Sequence, residues 1–225
     1  MRSFDFRAVL CVSLALLVSP LLQAQEARPT SAAALQRLKD GNARFAADRP
    51  ATKDVGDKRR EKLTQGQQPF AAILSCADSR VVPEVLFDQG LGDVFVLRVA
   101  GNIAGPGMVG SLEYAVEHLH VPLIVVLGHE ECGAVKAALA GKPLPGQLGW
   151  LVKQVYTGDN LPADKKEVLN AAIKANVLRQ AADLTEKNAE LKELVAHERV
   201  KIAAGIYSLA TGKVTWLDMP EPKGP

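Results

Sequence analysis

The sequence predicts an α/β fold, a mostly parallel central sheet flanked by helices. Three short apolar runs, Phe70–Ser75, Val94–Val99 and Leu123–Leu127, have the length and composition of strands buried on both faces. A stretch of helical periodicity separates the last two, and strands that alternate with helices pair in parallel.

The remaining elements follow in chain order. Ala33–Ala47 reads as a helix, because Leu35, Leu38 and Phe45 recur at helical spacing and Asp48-Arg49-Pro50 stops it. Ala51–Gln68 is polar and loop-like, with room for a short helix at Asp57–Thr64. Val109–His118 is helical, with Leu112, Ala115, Val116 and Leu119 on its apolar face. Cys132–Ala140 is a helix ended by Gly141-Lys142-Pro143, and Gln147–Tyr156 allows a helical turn or two. Lys165–Leu194 is helical with a break near Asn188. Arg199–Ser208 and Lys213–Leu217 read as two strands joined through Thr211-Gly212 as a hairpin.

The first 24 residues have the layout of a secretory signal peptide: Arg2 and Arg7, an apolar run from Ala8 to Leu22, then small Ala24 before polar sequence. That run of about 15 residues is short for a membrane span, which needs roughly 20. Cleavage after Ala24 leaves residues 25–225 as a single compact domain, exported to the periplasm or secreted, with no stable membrane insertion. Removing Arg2, Arg7 and Asp5 leaves 25 basic and 24 acidic side chains. So even a balance offers no field for nucleic acid or anionic lipid, and the few scattered aromatics make no base-stacking platform.

Of three cysteines, Cys11 lies in the apolar run, so only Cys76 and Cys132 remain after processing. In an exported protein these two could form a disulfide, but each sits in a richer cluster. Cys76-Ala77-Asp78-Ser79-Arg80 follows the first strand, and His129-Glu130-Glu131-Cys132 follows the third. Strand carboxyl ends of a parallel sheet share one edge, and a crevice opens there where the strand order reverses. Residues 53 apart in sequence are thereby brought together. His129 and Cys132, three apart at a helix start, can point to one side. Two thiolates and one imidazole make a tetrahedral zinc site with one open position, the catalytic pattern. Arg80 can grip Asp78 through two parallel N–H bonds. An Asp held so stays ionised and can orient a zinc-bound water.

CADSR and HEEC resemble the C-x-D-x-R and H-x-x-C signatures of the β-class carbonic anhydrases. Gly41-Asn42-Ala43-Arg44-Phe45, Arg98 through Asn102, Ser111–Val116 and Gly205–Leu217 resemble further segments of that family, in order, over about Ala34 to Leu217. Gln67, Phe95 and Tyr114 resemble the plant-like, open-site subtype. The bicarbonate-regulated subtype has Trp three residues before the first zinc cysteine, where this chain has Ile73. The resemblance implies one Zn2+ per subunit on Cys76, His129 and Cys132, with Asp78 and Arg80 as a catalytic pair. It implies reversible hydration of CO2 to bicarbonate and a proton. It also implies a homodimer or higher homo-oligomer with the site at the subunit interface and an N-terminal helical arm around the partner.

On this reading Phe95, Ala100 and Tyr114 wall the apolar substrate, while Gln67 and the Gly133 N–H donate to its oxygens. Two thiolates cancel the charge of the ion. The bound water is then a weaker acid than the pKa of about 7 found with three histidines, and activity rises through mildly alkaline pH. A related hydrolase for carbonyl sulfide or carbon disulfide would share the metal site, and a non-catalytic zinc module would close it. Gly105-Pro106-Gly107-Met108-Val109-Gly110 fits a dinucleotide fingerprint with Glu130 as the ribose acid, but Gly101–Ala104 intervenes after the strand. His118, His120 and His197 are assigned to the surface.

Overall fold

The structure is a computed structural model that describes residues 28–219, with the backbone alone at 165 and 166. The five strands are β1 (Ala71–Ser75), β2 (Val94–Arg98), β3 (Leu123–His129), β4 (Lys201–Tyr207) and β5 (Val214–Leu217). They form one sheet in the order β2-β1-β3-β4-β5, parallel except for the antiparallel β4–β5 pair. The helices are α1 (Ser31–Ala46), α2 (Asp57–Leu63), α3 (Pro83–Leu86), α4 (Pro106–Glu117), α5 (Gly133–Ala140), α6 (Gly146–Lys153), α7 (Lys165–Glu186) and α8 (Ala189–Ala196). Among the described residues no helix is long and apolar enough to cross a membrane.

The unbroken apolar runs have a plain cause. Every residue of β1 and β3 is buried, because both faces of the central sheet are covered. The run at Val94–Val99, expected to be buried likewise, is only partly so, because β2 lies at the sheet edge. Ala72, Leu74, Ile124 and Val126 point to one face, where they meet Leu112 and Val116 of α4, Val177 and Leu184 of α7 and Leu191 of α8. Ala71, Ile73, Leu123, Val125 and Leu127 point to the other, where they meet Leu38 of α1 and Leu86 of α3. A side chain such as Leu127, removed wholly from water, contributes about 1.5–3 kcal/mol to this core.

α1 begins at the Thr30 cap and lays Ala34 and Leu38 on the sheet of its own chain. The Gly41–Phe45 segment is what clamps it there. A Cβ on Gly41 would fall 1.8 Å from the Phe87 carbonyl oxygen, so only glycine allows that approach. Asn42 donates to the carbonyls of Leu86 and Gly212 and accepts from the Val214 N–H, and Arg44 donates to buried Asp88 at 2.7 Å. The break in the long C-terminal helix falls where expected: Asn188 caps α8, its side chain accepting from the Leu191 N–H. Two elements had no sequence signal, the four-residue α3 and a turn at Ala100–Asn102. The segment read as a signal peptide, residues 1–24, lies outside the described residues.

Strand order decides where chemistry can occur. From β1 the chain moves to one side to make β2, and the later strands build on the other side. The order therefore reverses between β1 and β3, and their carboxyl ends flank the crevice.

Candidate metal centre

Cys76 is the first residue beyond β1, and His129 is the last residue of β3. The sulfurs of Cys76 and Cys132 and a ring nitrogen of His129 all lie within 4.8 Å of one another, and all three residues are buried. Both cysteines are free thiols, so the pair is not a disulfide. One expectation needs correcting. His129 and Cys132 do not meet as neighbours on a helix: His129 ends a strand and Cys132 is the N-cap of α5. Glu131, in the left-handed region at φ 58°, turns the chain between them.

The donor set fits a metal ion. His129 Nδ1 lies 2.8 Å from the Glu130 carbonyl oxygen, which can only accept, so the ring proton sits on Nδ1. Nε2 is left as a buried lone pair with no hydrogen-bond partner, as a metal ligand requires. The two cysteines hydrogen-bond each other. The hydrogen bond from Cys132 favours the Cys76 thiolate, whose pKa falls to about 4 although burial opposes it. The same bond, together with burial, pushes Cys132 up. Backbone N–H groups of Asp78 and Gly101 support the Cys76 sulfur, and those of Ala134 and Val135, in the first turn of α5, support Cys132.

Asp78 lies beside this group, its Oδ2 3.9 Å from His129 Nε2. Arg80 holds it in a fork, Nε to Oδ1 at 2.9 Å and Nη2 to Oδ2 at 2.7 Å, and the Arg80 backbone N–H adds a third bond at 3.0 Å. That grip, against the opposing effect of burial, keeps the Asp78 carboxyl well below the usual carboxylate range. Arg98, at the end of β2, was not foreseen as part of this corner. It donates to the carbonyls of Cys76 at 3.1 Å and Asp78 at 2.6 Å and so fixes the loop that carries both.

The expected substrate residues divide into two groups. Ala100 sits in the turn whose next residue, Gly101, donates to the Cys76 sulfur at 3.4 Å. Gly133 is the first residue of α5, so its N–H has no partner within the helix, and the space around its Cα is open. Gln67, Phe95 and Tyr114 lie on segments that carry none of the three ligand candidates. Phe95, on β2, packs with the cluster that holds Leu97 and Leu112, and its ring lies 6.4 Å from that of Tyr114 on α4. Tyr114 is 48% exposed and Gln67 is exposed.

The rival motifs find other duties. The glycine-rich segment opens α4 only after the Ala100–Asn102 turn, and Glu130 accepts from the Leu209 N–H at 3.2 Å. Neither arrangement suits a dinucleotide. His118 packs on Tyr114 and His197 bonds the Glu193 carbonyl within its own helix end.

The sequence profile of the carbonic anhydrase family matches residues 71–214, which contain all three ligand candidates. Carbonic anhydrase 2 of Mycobacterium tuberculosis is 56% identical over 191 residues, covering 83% of this chain and 92% of that protein. A carbonic anhydrase of Mycolicibacterium smegmatis is 58% identical over 108 residues, 48% of this chain and 52% of that protein, so this chain spans about half the length of that relative. Among solved structures, a tetrameric β-carbonic anhydrase of Sordaria macrospora superposes with a TM-score of 0.64 at 30% identity, over 70% of this chain and 85% of that one. Sequence, fold and the buried Cys-His-Cys group agree, and the chain belongs to the β-class carbonic anhydrases, zinc enzymes that interconvert carbon dioxide and bicarbonate.

Proposed function

We propose that Cys76, His129 and Cys132 hold one Zn2+ per subunit in an open site of the plant-like subtype, where Asp78, fixed by Arg80, orients the water that adds to CO2. One observation carries this reading. Three buried ligand atoms converge within 4.8 Å, and the Asp78 carboxylate beside them is committed to Arg80 by three hydrogen bonds. When bound, zinc acts as a Lewis acid that lowers the pKa of water and supplies a nucleophilic oxygen near neutral pH.

The chain's own groups do the rest. Asp78 is ionised across the neutral and alkaline range, so it accepts a hydrogen bond from the reacting water and aims the oxygen lone pair at CO2. Arg80 keeps the carboxylate from turning in among the ligands. The Gly133 N–H and the Gln67 side chain donate to a substrate oxygen as negative charge develops there. Phe95, Ala100 and Tyr114 provide an apolar wall that favours CO2 over water.

Gln67, Phe95 and Tyr114 perform these roles in the site of the partner subunit, within a homodimer or higher homo-oligomer. Support comes from their place: β2 is an edge strand, and Tyr114 is exposed beside it. The Sordaria macrospora relatives are described as tetrameric. Export to the periplasm or medium, with cleavage after Ala24, rests on the charged start and apolar run of residues 1–24. Sequencing of the mature N-terminus is expected to begin at Gln25, and an intact Met1 in the cytosol overturns it. The central test is zinc content together with stopped-flow CO2 hydration. An active protein that holds no zinc, or zinc retained in full by Cys132→Ser, refutes the ligand set.

A further inference from the structure

Helix α7 reaches the metal corner without supplying a ligand. Gly101, whose N–H bonds the Cys76 sulfur, has φ 74° and admits no side chain: a Cβ would lie 2.9 Å from Val155 Cγ2 and 3.2 Å from Ala134 Cβ. Its backbone is anchored from behind. Asn176 Nδ2 donates to the Gly101 carbonyl at 2.8 Å. Gln180 Oε1, one turn further along α7, accepts from the Ala104 N–H at 2.7 Å.

The two carboxamides also anchor each other and the segment after α6. Asn176 Oδ1 accepts from the Tyr156 N–H and from Gln180 Nε2, each at 3.1 Å, and Gln180 Nε2 donates to the Gln154 carbonyl at 3.0 Å. Both residues are buried, at 1% and 4% exposure, among Ala172, Ile173, Val177 and Ala181 of the same helix. A buried carboxamide is costly unless its hydrogen bonds are made. Here each of those bonds ends on backbone or on the other carboxamide. The same helix also crowds the second ligand strand: a Cβ on Gly128, the neighbour of His129, would fall 2.3 Å from Val177 Cγ2.

We propose that Asn176 and Gln180 are positioning residues of the metal centre. They hold residues 101–104 so that the Gly101 N–H stays on the Cys76 sulfur. The proposal rests on Cys76 being a zinc ligand, as argued above. An N–H···S bond draws charge from a thiolate and fixes its direction, and partners of this kind typically change metal affinity or activity by about 10–100-fold.

The test uses full-length protein loaded with Zn2+ or with Co2+, whose thiolate charge-transfer band reports the state of the sulfur. Asn176→Ala is expected to weaken zinc binding, measured by chelator competition, by about 10–100-fold and to move the cobalt band to longer wavelength. Leu184→Ala, which opens a cavity elsewhere on α7, is expected to lower thermal stability and leave affinity and band unmoved. If Asn176→Ala does not fold, Gln180→Met decides by the same two readings, since it frees the Ala104 N–H at nearly constant volume. Wild-type affinity and an unmoved band in the deciding variant overturn the proposal, as does an equal shift in Leu184→Ala. A wild-type cobalt protein without a thiolate band overturns the ligand set itself, which separates that failure from this one.

Discussion

The metal corner and the β2–α4 edge are both made of residues that the family resemblance marks, yet they are built differently. At the corner, Cys76, His129 and Cys132 are buried and already together, and Arg98 and Arg80 hold the loop and the carboxylate beside them. At the edge, Phe95 packs half-buried against the core cluster with its ring beside that of exposed Tyr114, and Gln67 is exposed. The difference teaches what a single chain can complete. Two thiols and an imidazole bind one ion only if their positions are preset, and a folded core presets them. The proposed apolar wall, by contrast, would be completed by a second copy and needs only an accessible surface.

The sharpest break between the two regions comes from the ligands. Cys76→Ser, His129→Ala and Cys132→Ser should each lose most zinc and essentially all CO2 hydration, because each removes one of three protein ligands. Metal analysis and stopped-flow rates on the same samples check this. No substitution at the edge should release zinc.

Next in size is the Asp78–Arg80 pair. Arg80→Ala and Asp78→Asn should keep zinc and lose roughly 10²-fold in kcat/KM, the scale of one misplaced stabilising group. The sign with pH follows from the lowered carboxyl. Asp78 is already ionised in the folded protein far below neutrality. Losing Arg80 lets it rise toward the ordinary value of about 3.9. The loss in Arg80→Ala should therefore be constant from about pH 6 to pH 9. A loss that vanishes as pH rises would mean protonation, not orientation, and would remove this role.

The edge itself can be tested by complementation. Gln67→Ala and Cys76→Ser homo-oligomers should both be weak. Mixed after dissociation, they should regain roughly a quarter of wild-type activity. Random pairing through a two-fold interface makes half the dimers mixed, and each mixed dimer has one complete site. No recovery would place Gln67 in its own chain's site.

The smallest effect belongs to a second Asp–Arg pair that does no chemistry. Asp88 has a fully buried side chain, bonded by Arg44 at 2.7 Å and by the Ala51 N–H at 2.9 Å. Burial works against its ionised form, but these bonds prevail and the carboxyl is lowered. A lowered carboxyl stabilises the fold above its unfolded pKa of about 3.9 and ceases to as pH falls through the folded value. Asp88→Asn should cost about 1–3 kcal/mol by denaturant melts at pH 7, make acid unfolding less steep and leave zinc in place.

Composition and order by themselves determined much of this protein. Short apolar runs at 71–75 and 123–127 read as buried strands, and Asn188 marked the break where it caps α8. The ligand types were legible too, because thiol and imidazole chemistry belongs to the side chain. Tertiary structure decided the rest. It put β1 beside β3, so that Cys76 meets His129, and it ran the strand through His129 and turned the chain at Glu131 to bring Cys132 back. It gave Arg98, Asn176 and Gln180 their duties, all performed through hydrogen bonds to backbone carbonyls and amides. Such bonds leave no periodicity, and only Arg98 lies in a segment that the family resemblance marks. Every residue offers the same backbone groups, and only the path of the chain selects which of them a distant side chain can reach.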